Sequence, residues 1–258
     1  MSFDVSFDVP ATRTLRAALL DLVLPAACGG CDAPGTSWCT ACATSLGPLL
    51  RRALPGGPPI VAVGRYRGPL RTAVLAYKER GRRDLVVPLA RLLADALPAV
   101  GAGQGECWLV PAPSRPAAAR ARGGDHVRRL CRQLARGDPR LQIAPALRLG
   151  RQARDSVGLG AAQRAANLAG RLRVHAEGLP PPGVPVVLVD DVVTTGATLR
   201  ACGAALTRVG RSVTAAVVLA DATSATASPL YPGGGSRNRR PSHMPDRPHL
   251  PSGSVAGL

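Results

Sequence analysis

The segment 186–199 constrains the fold of this chain more than any other part of its sequence. It reads Val-Val-Leu-Val-Asp-Asp-Val-Val-Thr-Thr-Gly-Ala-Thr-Leu. The apolar run Val186–Val189 predicts a strand buried on both faces, as in a parallel sheet, and it ends at Asp190 and Asp191. Apolar residues then recur at helical spacing from Leu199 to Val209. This order of strand, loop and helix predicts an α/β fold, in which ligands bind at the carboxyl ends of the strands.

The loop between this strand and helix has the composition of a phosphate-binding turn. Its N–H groups and the positive end of the helix attract an anion, and three threonines add hydroxyl donors. The carboxylates of Asp190 and Asp191 repel phosphate, but they can accept hydrogen bonds from ribose hydroxyls or hold them through Mg²⁺. A P-loop is excluded because no Gly-Lys-Ser/Thr follows a glycine-rich run. The alternative is a buried strand with an ordinary turn into a helix.

This Asp-Asp segment resembles the phosphoribosyl pyrophosphate (PRPP) signature of type I phosphoribosyltransferases. The resemblance implies that Asp190 and Asp191 are catalytic and grip the ribose diol, with Mg²⁺ accompanying PRPP. It also implies a loop that binds the 5′-phosphate, made of Val192, Val193, Thr194, Thr195, Gly196, Ala197 and Thr198.

Four of the seven cysteines form two Cys-x-x-Cys pairs separated by seven residues. Four thiolates at this spacing predict a closed tetrahedral Zn²⁺ site, which is structural because no position is left for water. Gly29 and Gly30 are expected to let the backbone turn sharply inside the first pair. The alternative is two disulfides in a secreted module. The predicted ligands are Cys28, Cys31, Cys39 and Cys42.

Charge and composition indicate which partners the chain can bind and where in the cell it is expected. The formal net charge is +17 over 258 residues, and Lys78 is the single lysine, so arginine supplies nearly all the positive charge. This balance favours polyanionic partners such as nucleotides, pyrophosphate or single-stranded DNA. The sequence contains no apolar run of about 20 residues, the length that would predict a membrane span. The N-terminus lacks the basic start of a signal peptide, so a cytoplasmic location is expected.

The pattern along the chain predicts four regions. An N-terminal segment with an amphipathic helix occupies 1–24, and the zinc ribbon occupies 25–50. Strands alternate with helices from 60 to 221, which predicts a parallel sheet flanked by helices. Residues 222–258 are rich in Ser, Pro, Gly and Arg without periodicity, which predicts a disordered tail.

The pyrophosphate of PRPP needs a second loop, and the end of the strand at 107–112 is the best candidate. In type I enzymes the corresponding loop presents N–H groups and a basic side chain to pyrophosphate, and an arginine fork suits phosphate oxygens. The alternative is a proline-rich turn with a solvated arginine. The predicted pyrophosphate residues are Ala112, Pro113, Ser114 and Arg115. Three further basic candidates for the site are Lys78, Arg122 and Arg164.

Taken in order, the motifs resemble the ComF (competence protein F-like) family over about residues 15–220. They are the paired Cys-x-x-Cys ribbon, Tyr66-Arg67-Gly68, Tyr77-Lys78, Val110-Pro111-Ala112-Pro113, Arg122–His126, Gln163–Leu168 and the Asp-Asp segment. Members usually carry Arg-Gly-Phe-Asn-Gln where this chain has Arg122–His126, which weakens any role given to Asp125 and His126.

The ComF resemblance implies a type I phosphoribosyltransferase fold with an N-terminal zinc ribbon and a link to DNA uptake in competent bacteria. Two hypotheses follow. The first is an enzyme that transfers phosphoribose from PRPP to a nitrogen acceptor. The second is a non-catalytic adaptor of the uptake machinery that senses PRPP or a nucleotide, or that binds single-stranded DNA.

Overall fold

The computed structural model describes residues 26–102, 105–150, 170–223 and 228–229. The predicted segment 1–24, Arg164 and most of the predicted tail lie outside these ranges. In the described part, no helix has both the length and the apolar character needed to cross a membrane.

A seven-stranded mixed sheet forms the centre of the fold, with the strand order β4-β3-β7-β8-β2-β1-β9. The five strands from β4 to β2 run parallel, whereas β1 and β9 add antiparallel at one edge. A separate antiparallel pair consists of β5 and β6. The strands are β1 Leu50–Arg52, β2 Ile60–Arg65, β3 Cys107–Pro111, β4 Leu141–Ile143, β5 Leu147–Leu149, β6 Leu172–Val174, β7 Val186–Val193, β8 Val213–Asp221 and β9 Ser228–Pro229.

Helices cover both faces of this sheet, as the apolar character of its parallel strands requires. The α-helices are α1 Thr40–Thr44, α2 Gly68–Glu79, α3 Val86–Ala96, α4 Pro116–Ala121, α5 His126–Gly137 and α6 Ala197–Thr207, with short 3₁₀ turns at Arg83–Leu85, Leu97–Val100 and Ala176–Gly178. Apolar residues of α2, α3 and α5 pack on one face, and those of α6 pack on the other. The predicted parallel sheet flanked by helices is confirmed.

Three segments differ from the sequence-based expectation. β7 continues four residues past the predicted end at Val189, because its polar half pairs in register with β8 up to Val193 and Asp221. No element is predicted between the end of the ribbon at residue 50 and residue 60, yet Leu50–Arg52 forms β1 because the edge of β2 offers it backbone partners. Ser228–Pro229, which lies inside the predicted tail, pairs with β1.

Candidate functional site

The carboxyl ends of the parallel strands bring the predicted site segments to one edge of the sheet. Pro111 of β3 is in register with Val189 of β7, and Val193 of β7 is in register with Asp221 of β8. The loop 194–196 and the segment 112–115 therefore leave the sheet from adjacent strands. This is the edge at which open α/β sheets bind ligands.

The loop 194–196 leaves its backbone donors free. Within the part of the chain that the structure describes, the N–H groups of Thr194, Thr195 and Gly196 have no hydrogen-bond partner. Gly196 adopts φ of +75° and directly precedes α6, so the loop ends at a helix N-terminus. Free donors at the positive end of an eleven-residue helix are an arrangement that can accept an anion.

Gly196 is required for two separate reasons. Its positive φ disfavours any residue with a Cβ. A Cβ at this position would also collide with Cδ1 of Leu54, which packs against the loop. Arg52 supports the same loop, because its guanidinium donates to the carbonyl of Thr194 at 2.9 Å and lies 3.7 Å from Oδ1 of Asp221.

Asp191 is buried and joins three elements. Its Oδ2 lies 2.7 Å from Nζ of Lys78 on α2 and 2.7 Å from Nε2 of His126 on α5. Its Oδ1 accepts the N–H of Val192 at 2.7 Å. Burial alone would raise the pKa of this carboxyl, but the hydrogen bond from His126 and the charge of Lys78 hold it well below its usual range. Both oxygens of Asp191 are thus engaged by the protein itself.

Asp190 has a different environment from its neighbour. It is half-buried, and its Oδ1 accepts the N–H of Asp191 at 2.8 Å. Its Oδ2 accepts no hydrogen bond from the residues described. Burial and the adjacent negative charge of Asp191 raise the pKa of Asp190 well above its usual range. Of the two acids, Asp190 has the oxygen that remains available to a ligand.

The segment 112–115 is tied to the acidic pair through α5. Asp125 caps α5 by accepting the N–H of Arg128 at 3.0 Å, and its other oxygen accepts the N–H of Ser114 at 3.0 Å. Nδ1 of His126 lies 3.3 Å from Oγ of Ser114. A continuous path of hydrogen bonds therefore runs from Ser114 through His126 to Asp191.

Two further basic candidates, Arg122 and Arg115, differ in their contacts. Arg122 lies beside the path, with NH1 3.4 Å from Nδ1 of His126 and NH2 3.4 Å from Oε1 of Glu79. Arg115 is exposed and has no ion pair within the described ranges. The N–H of Ala112 donates to Val189, so it is not available to an anion.

The four predicted cysteines come together at the N-terminal side of the fold, with their sulfur atoms all within 4.8 Å of one another. The Sγ–Sγ distances of 3.7 Å for Cys28–Cys42 and 3.6 Å for Cys31–Cys39 match the edge of about 3.8 Å that a tetrahedron with 2.3 Å metal–sulfur bonds requires. The cluster can hold a metal ion.

Backbone donors support the cysteine cluster. The N–H groups of Gly30 and Cys39 point at Sγ of Cys28, at 3.5 Å and 3.4 Å. Burial opposes ionisation of Cys28, but these donors lower the pKa of its thiol to about 6. The sulfur is therefore prepared to bind as a thiolate.

The glycines of the first knuckle serve close packing. Neither Gly29 nor Gly30 has a positive φ, and the left-handed residue of this turn is Asp32, at φ of +61°. A Cβ on Gly29 would collide with Leu85, and one on Gly30 would collide with Pro69. The expectation that these glycines serve the sharp turn is wrong: they let the ribbon approach the body of the protein.

Sequence reasoning missed two side chains that organise the site. His126 was discounted because it departs from the ComF pattern, yet it is buried and contacts both Ser114 and Asp191. Arg52 lies between the predicted ribbon and residue 60, in a stretch for which the sequence predicts no element. A signal for His126 was present, because a histidine directly after an N-cap aspartate begins the strongly amphipathic helix α5.

The structure is that of a mixed α/β protein with a turn of unpaired N–H groups and an unpaired oxygen of Asp190 at the carboxyl edge of its sheet. Parts of the chain are similar to known phosphoribosyltransferases. A segment of 48 residues, 19% of the chain, is 52% identical to the adenine phosphoribosyltransferase of Mycolicibacterium vanbaalenii and covers 28% of it. A segment of 52 residues, 20% of the chain, is 46% identical to the adenine phosphoribosyltransferase of Mycolicibacterium gilvum and covers 29% of it. The chain thus spans under a third of the length of these curated relatives.

Solved structures resemble the chain only distantly. A hypoxanthine phosphoribosyltransferase of Trypanosoma cruzi is 20% identical, with a TM-score of 0.32, and the match covers 56% of this chain and 66% of that one. The hypoxanthine phosphoribosyltransferase of Staphylococcus aureus is 15% identical, with a TM-score of 0.32 and coverage of 53% and 62%. No protein-family model matches the chain. Membership of the ComF family stays a prediction.

Proposed function

We propose that this chain binds PRPP and acts as a phosphoribosyltransferase. The observation that carries the proposal is the turn 194–196, whose free N–H groups open α6 only a few residues after a half-buried acid with an available oxygen. An anion site and a diol acceptor at this separation suit a pentose with a phosphate on C5. The local similarity to adenine phosphoribosyltransferases supports the same reading.

Each part of PRPP has a candidate partner at this edge. The 5′-phosphate would lie on the turn formed by 192–198, and Asp190 would accept hydrogen bonds from the ribose hydroxyls. Asp191 would hold the site together through Lys78 and His126. The pyrophosphate would lie against the segment 112–115, where Ser114 is already oriented and Arg115 is free to reach it.

In the proposed reaction, a nitrogen acceptor attacks C1 of the ribose and pyrophosphate leaves. The residues described would act by positioning the sugar and by stabilising the charge that develops on the leaving group. A free carboxylate oxygen on Asp190 is the kind of ligand that Mg²⁺ prefers. When bound with PRPP, Mg²⁺ would neutralise part of the pyrophosphate charge.

The cysteine cluster would hold Zn²⁺ as a structural ion. Its sulfur spacing suits tetrahedral coordination, and four thiolates leave no open position for catalysis. The ribbon has little core of its own, so metal binding would be linked to its folding.

The resemblance to the ComF family adds a proposed setting in the uptake of DNA by competent bacteria. In the adaptor alternative, PRPP acts as a signal, or single-stranded DNA binds a basic surface. Exposed arginines on α5, among them Arg132 and Arg136, supply charge for such a surface. Binding of this kind would be driven by the phosphate backbone and would weaken steeply with salt.

Turnover separates the enzyme from the adaptor. The protein is incubated with PRPP, Mg²⁺ and a panel of nitrogenous bases, and pyrophosphate release is measured. The proposal expects base-dependent release that Asp190→Asn strongly reduces, with Arg208→Gln, at an exposed arginine after α6, as a control that keeps full activity. Saturable PRPP binding without release would favour the adaptor, and no PRPP binding at all would contradict both PRPP-based readings.

A further inference from the structure

A cavity of about 460 Å³ lies where the end of the cysteine ribbon meets the turn from β2 into α2. It is lined by Ser45–Pro48 and Leu50 on the ribbon side, and by Arg65 and Arg67–Leu70 on the other side. This volume is within the range of small-molecule sites, which span about 300–1,000 Å³.

The cavity shares an edge of the sheet with the proposed PRPP site. β2 lies next to β8, and β8 lies next to β7, so the carboxyl ends of β7 and β2 are two strand spacings apart. Neighbouring strands are about 4.8 Å apart, which puts the cavity on the order of 10 Å from the end of β7. A ribose and an attached base together span a distance of this order.

The strand order also fixes the side from which an acceptor can approach. β3, which carries the proposed pyrophosphate segment, flanks β7 on one side, and β8 and β2 lie on the other side. A nucleophile that displaces pyrophosphate attacks C1 from the face opposite to the leaving group. The acceptor would therefore approach C1 from the direction of β8 and β2, where the cavity lies.

The lining combines apolar surface with unpaired positive charge. Leu46, Pro48 and Pro69 supply apolar surface to the cavity. Arg65 is half-buried and Arg67 is exposed, and neither has an ion pair within the described residues. Arginine pairs bidentately with carboxylates, and this pairing is stronger than a neutral hydrogen bond.

We propose that this cavity is the acceptor subsite and that the acceptor is a nitrogen heterocycle bearing a carboxylate. The inference rests on the proposed phosphoribosyltransferase function. The ring nitrogen would form the bond to C1 with its lone pair, while the C1–O bond to pyrophosphate breaks and its electron pair leaves on the pyrophosphate oxygen. Any proton on that nitrogen is released to water. Arg65 and Arg67 would hold the carboxylate and orient the ring.

Matched pairs of acceptors test the carboxylate requirement. Pyrophosphate release from PRPP and Mg²⁺ is compared for nicotinate against nicotinamide and for orotate against uracil, with adenine and hypoxanthine in the same panel. Calorimetry measures binding of each acceptor in the presence of PRPP. At least one carboxylated member should exceed its neutral partner by about tenfold or more, the effect of one charge-assisted hydrogen bond.

Variants of the two arginines complete the test. Arg65→Gln combined with Arg67→Gln should abolish the preference for the carboxylated acceptor and leave the affinity for PRPP unchanged. Arg208→Gln, at an exposed arginine directly after α6, is the control and should change neither quantity.

The outcomes distinguish this inference from the function on which it rests. A protein that binds no PRPP contradicts the proposed function. A protein that binds PRPP, yet prefers adenine or hypoxanthine or binds no carboxylated acceptor, contradicts the acceptor inference alone. A carboxylate preference that survives the double arginine variant also overturns it.

Discussion

Asp190 and Asp191 are neighbours in sequence but have opposite electrostatic environments. Asp191 is buried between Lys78 and His126, which favour its charged form. Asp190 lies next to the negative charge of Asp191 and has one free oxygen. Burial and the charge of Asp191 both oppose its ionisation. One carboxylate therefore stabilises the fold, and the other is held in a costly state that a ligand or a cation can relieve.

This difference predicts opposite stability effects for two conservative variants. Asp191→Asn should destabilise the protein by about 3 kcal/mol at neutral pH, because it leaves the half-buried ammonium of Lys78 and the buried ring of His126 without their carboxylate partner. Asp190→Asn should stabilise the protein at neutral pH while it weakens PRPP binding. Thermal denaturation of both variants checks the signs, and two losses of equal size would contradict the assignment.

The pH dependence of the two effects follows from the directions of the pKa shifts. The folded pKa of Asp190 is raised, so its stabilising contribution is complete below about pH 3.9 and is lost as pH rises through the folded pKa. The advantage of Asp190→Asn should therefore vanish near pH 4. The folded pKa of Asp191 is lowered, so its contribution is present above about pH 3.9 and is lost only as pH falls through the folded value.

At the scale of single residues, the sequence reveals motifs whose residues are close together in the chain. It does not reveal contacts between residues that are far apart in the chain. The loop 194–198 is recognisable because its threonines and glycine lie within five positions. The four cysteines are recognisable because each Cys-x-x-Cys pair spans four positions. The contact between His126 and Asp191 joins residues 65 positions apart, and no periodicity in one sequence encodes it. The role of Lys78 depends on the same fold-dependent pairing.

Among the elements, the junction between β7 and α6 positions the turn of the candidate site. Gly196 permits this junction because it supplies a positive φ and leaves room for Leu54. The strand itself was predicted too short, because two aspartates end the apolar run while backbone pairing with β8 continues. The apolar run in the sequence shows which part of β7 is in the core, whereas its hydrogen bonds with β8 determine where the strand ends.

Two alanine substitutions separate the causes at this junction. Gly210→Ala should cost about 1 kcal/mol, since Gly210 also has a positive φ but has no atoms within 4 Å of the added Cβ. Gly196→Ala should cost about 1–3 kcal/mol more, because Leu54 must move. Chemical denaturation measures both, and equal costs would show that crowding by Leu54 is unimportant.

The cysteine ribbon contacts both ends of α2, the helix that carries Lys78. A guanidinium nitrogen of Arg82 donates to the carbonyl of Ala27 at 2.6 Å, just beyond the end of α2. Gly30 packs against Pro69 at the start of the same helix. The ribbon thus supports the helix that carries Lys78, so removal of a metal ion bound to the cysteines should also destabilise the body of the protein.

Replacement of one ligand tests the metal site. Cys39→Ser should lower the zinc content from about one ion per chain to a small fraction, and it should reduce the free energy of unfolding. Cys202→Ala is the control: this buried cysteine lies on α6, in the core on that face of the sheet and outside the cluster, so its loss should leave the zinc content intact. Purified protein without metal, in which all four cluster thiols titrate freely, would contradict the site.

At the scale of the whole molecule, the sheet order organises the proposed chemistry. β3, β7, β8 and β2 end side by side, so the proposed pyrophosphate segment, the proposed phosphate turn and the arginine-lined cavity follow one another along a single edge. The α/β class was predictable from the alternation of strands and helices. The strand order was not, because β2 comes early in the sequence and inserts between β8 and β1 only in the folded state.

The most direct test of the account is a crystal structure of the protein with PRPP and Mg²⁺. The account predicts the 5′-phosphate at hydrogen-bond distance, about 3 Å, from the N–H groups of Thr195 and Gly196. It also predicts a ribose hydroxyl or a magnesium ion at the free oxygen of Asp190, and pyrophosphate beside Ser114. PRPP bound elsewhere, or a turn 194–196 that contacts no phosphate, would contradict the central claim.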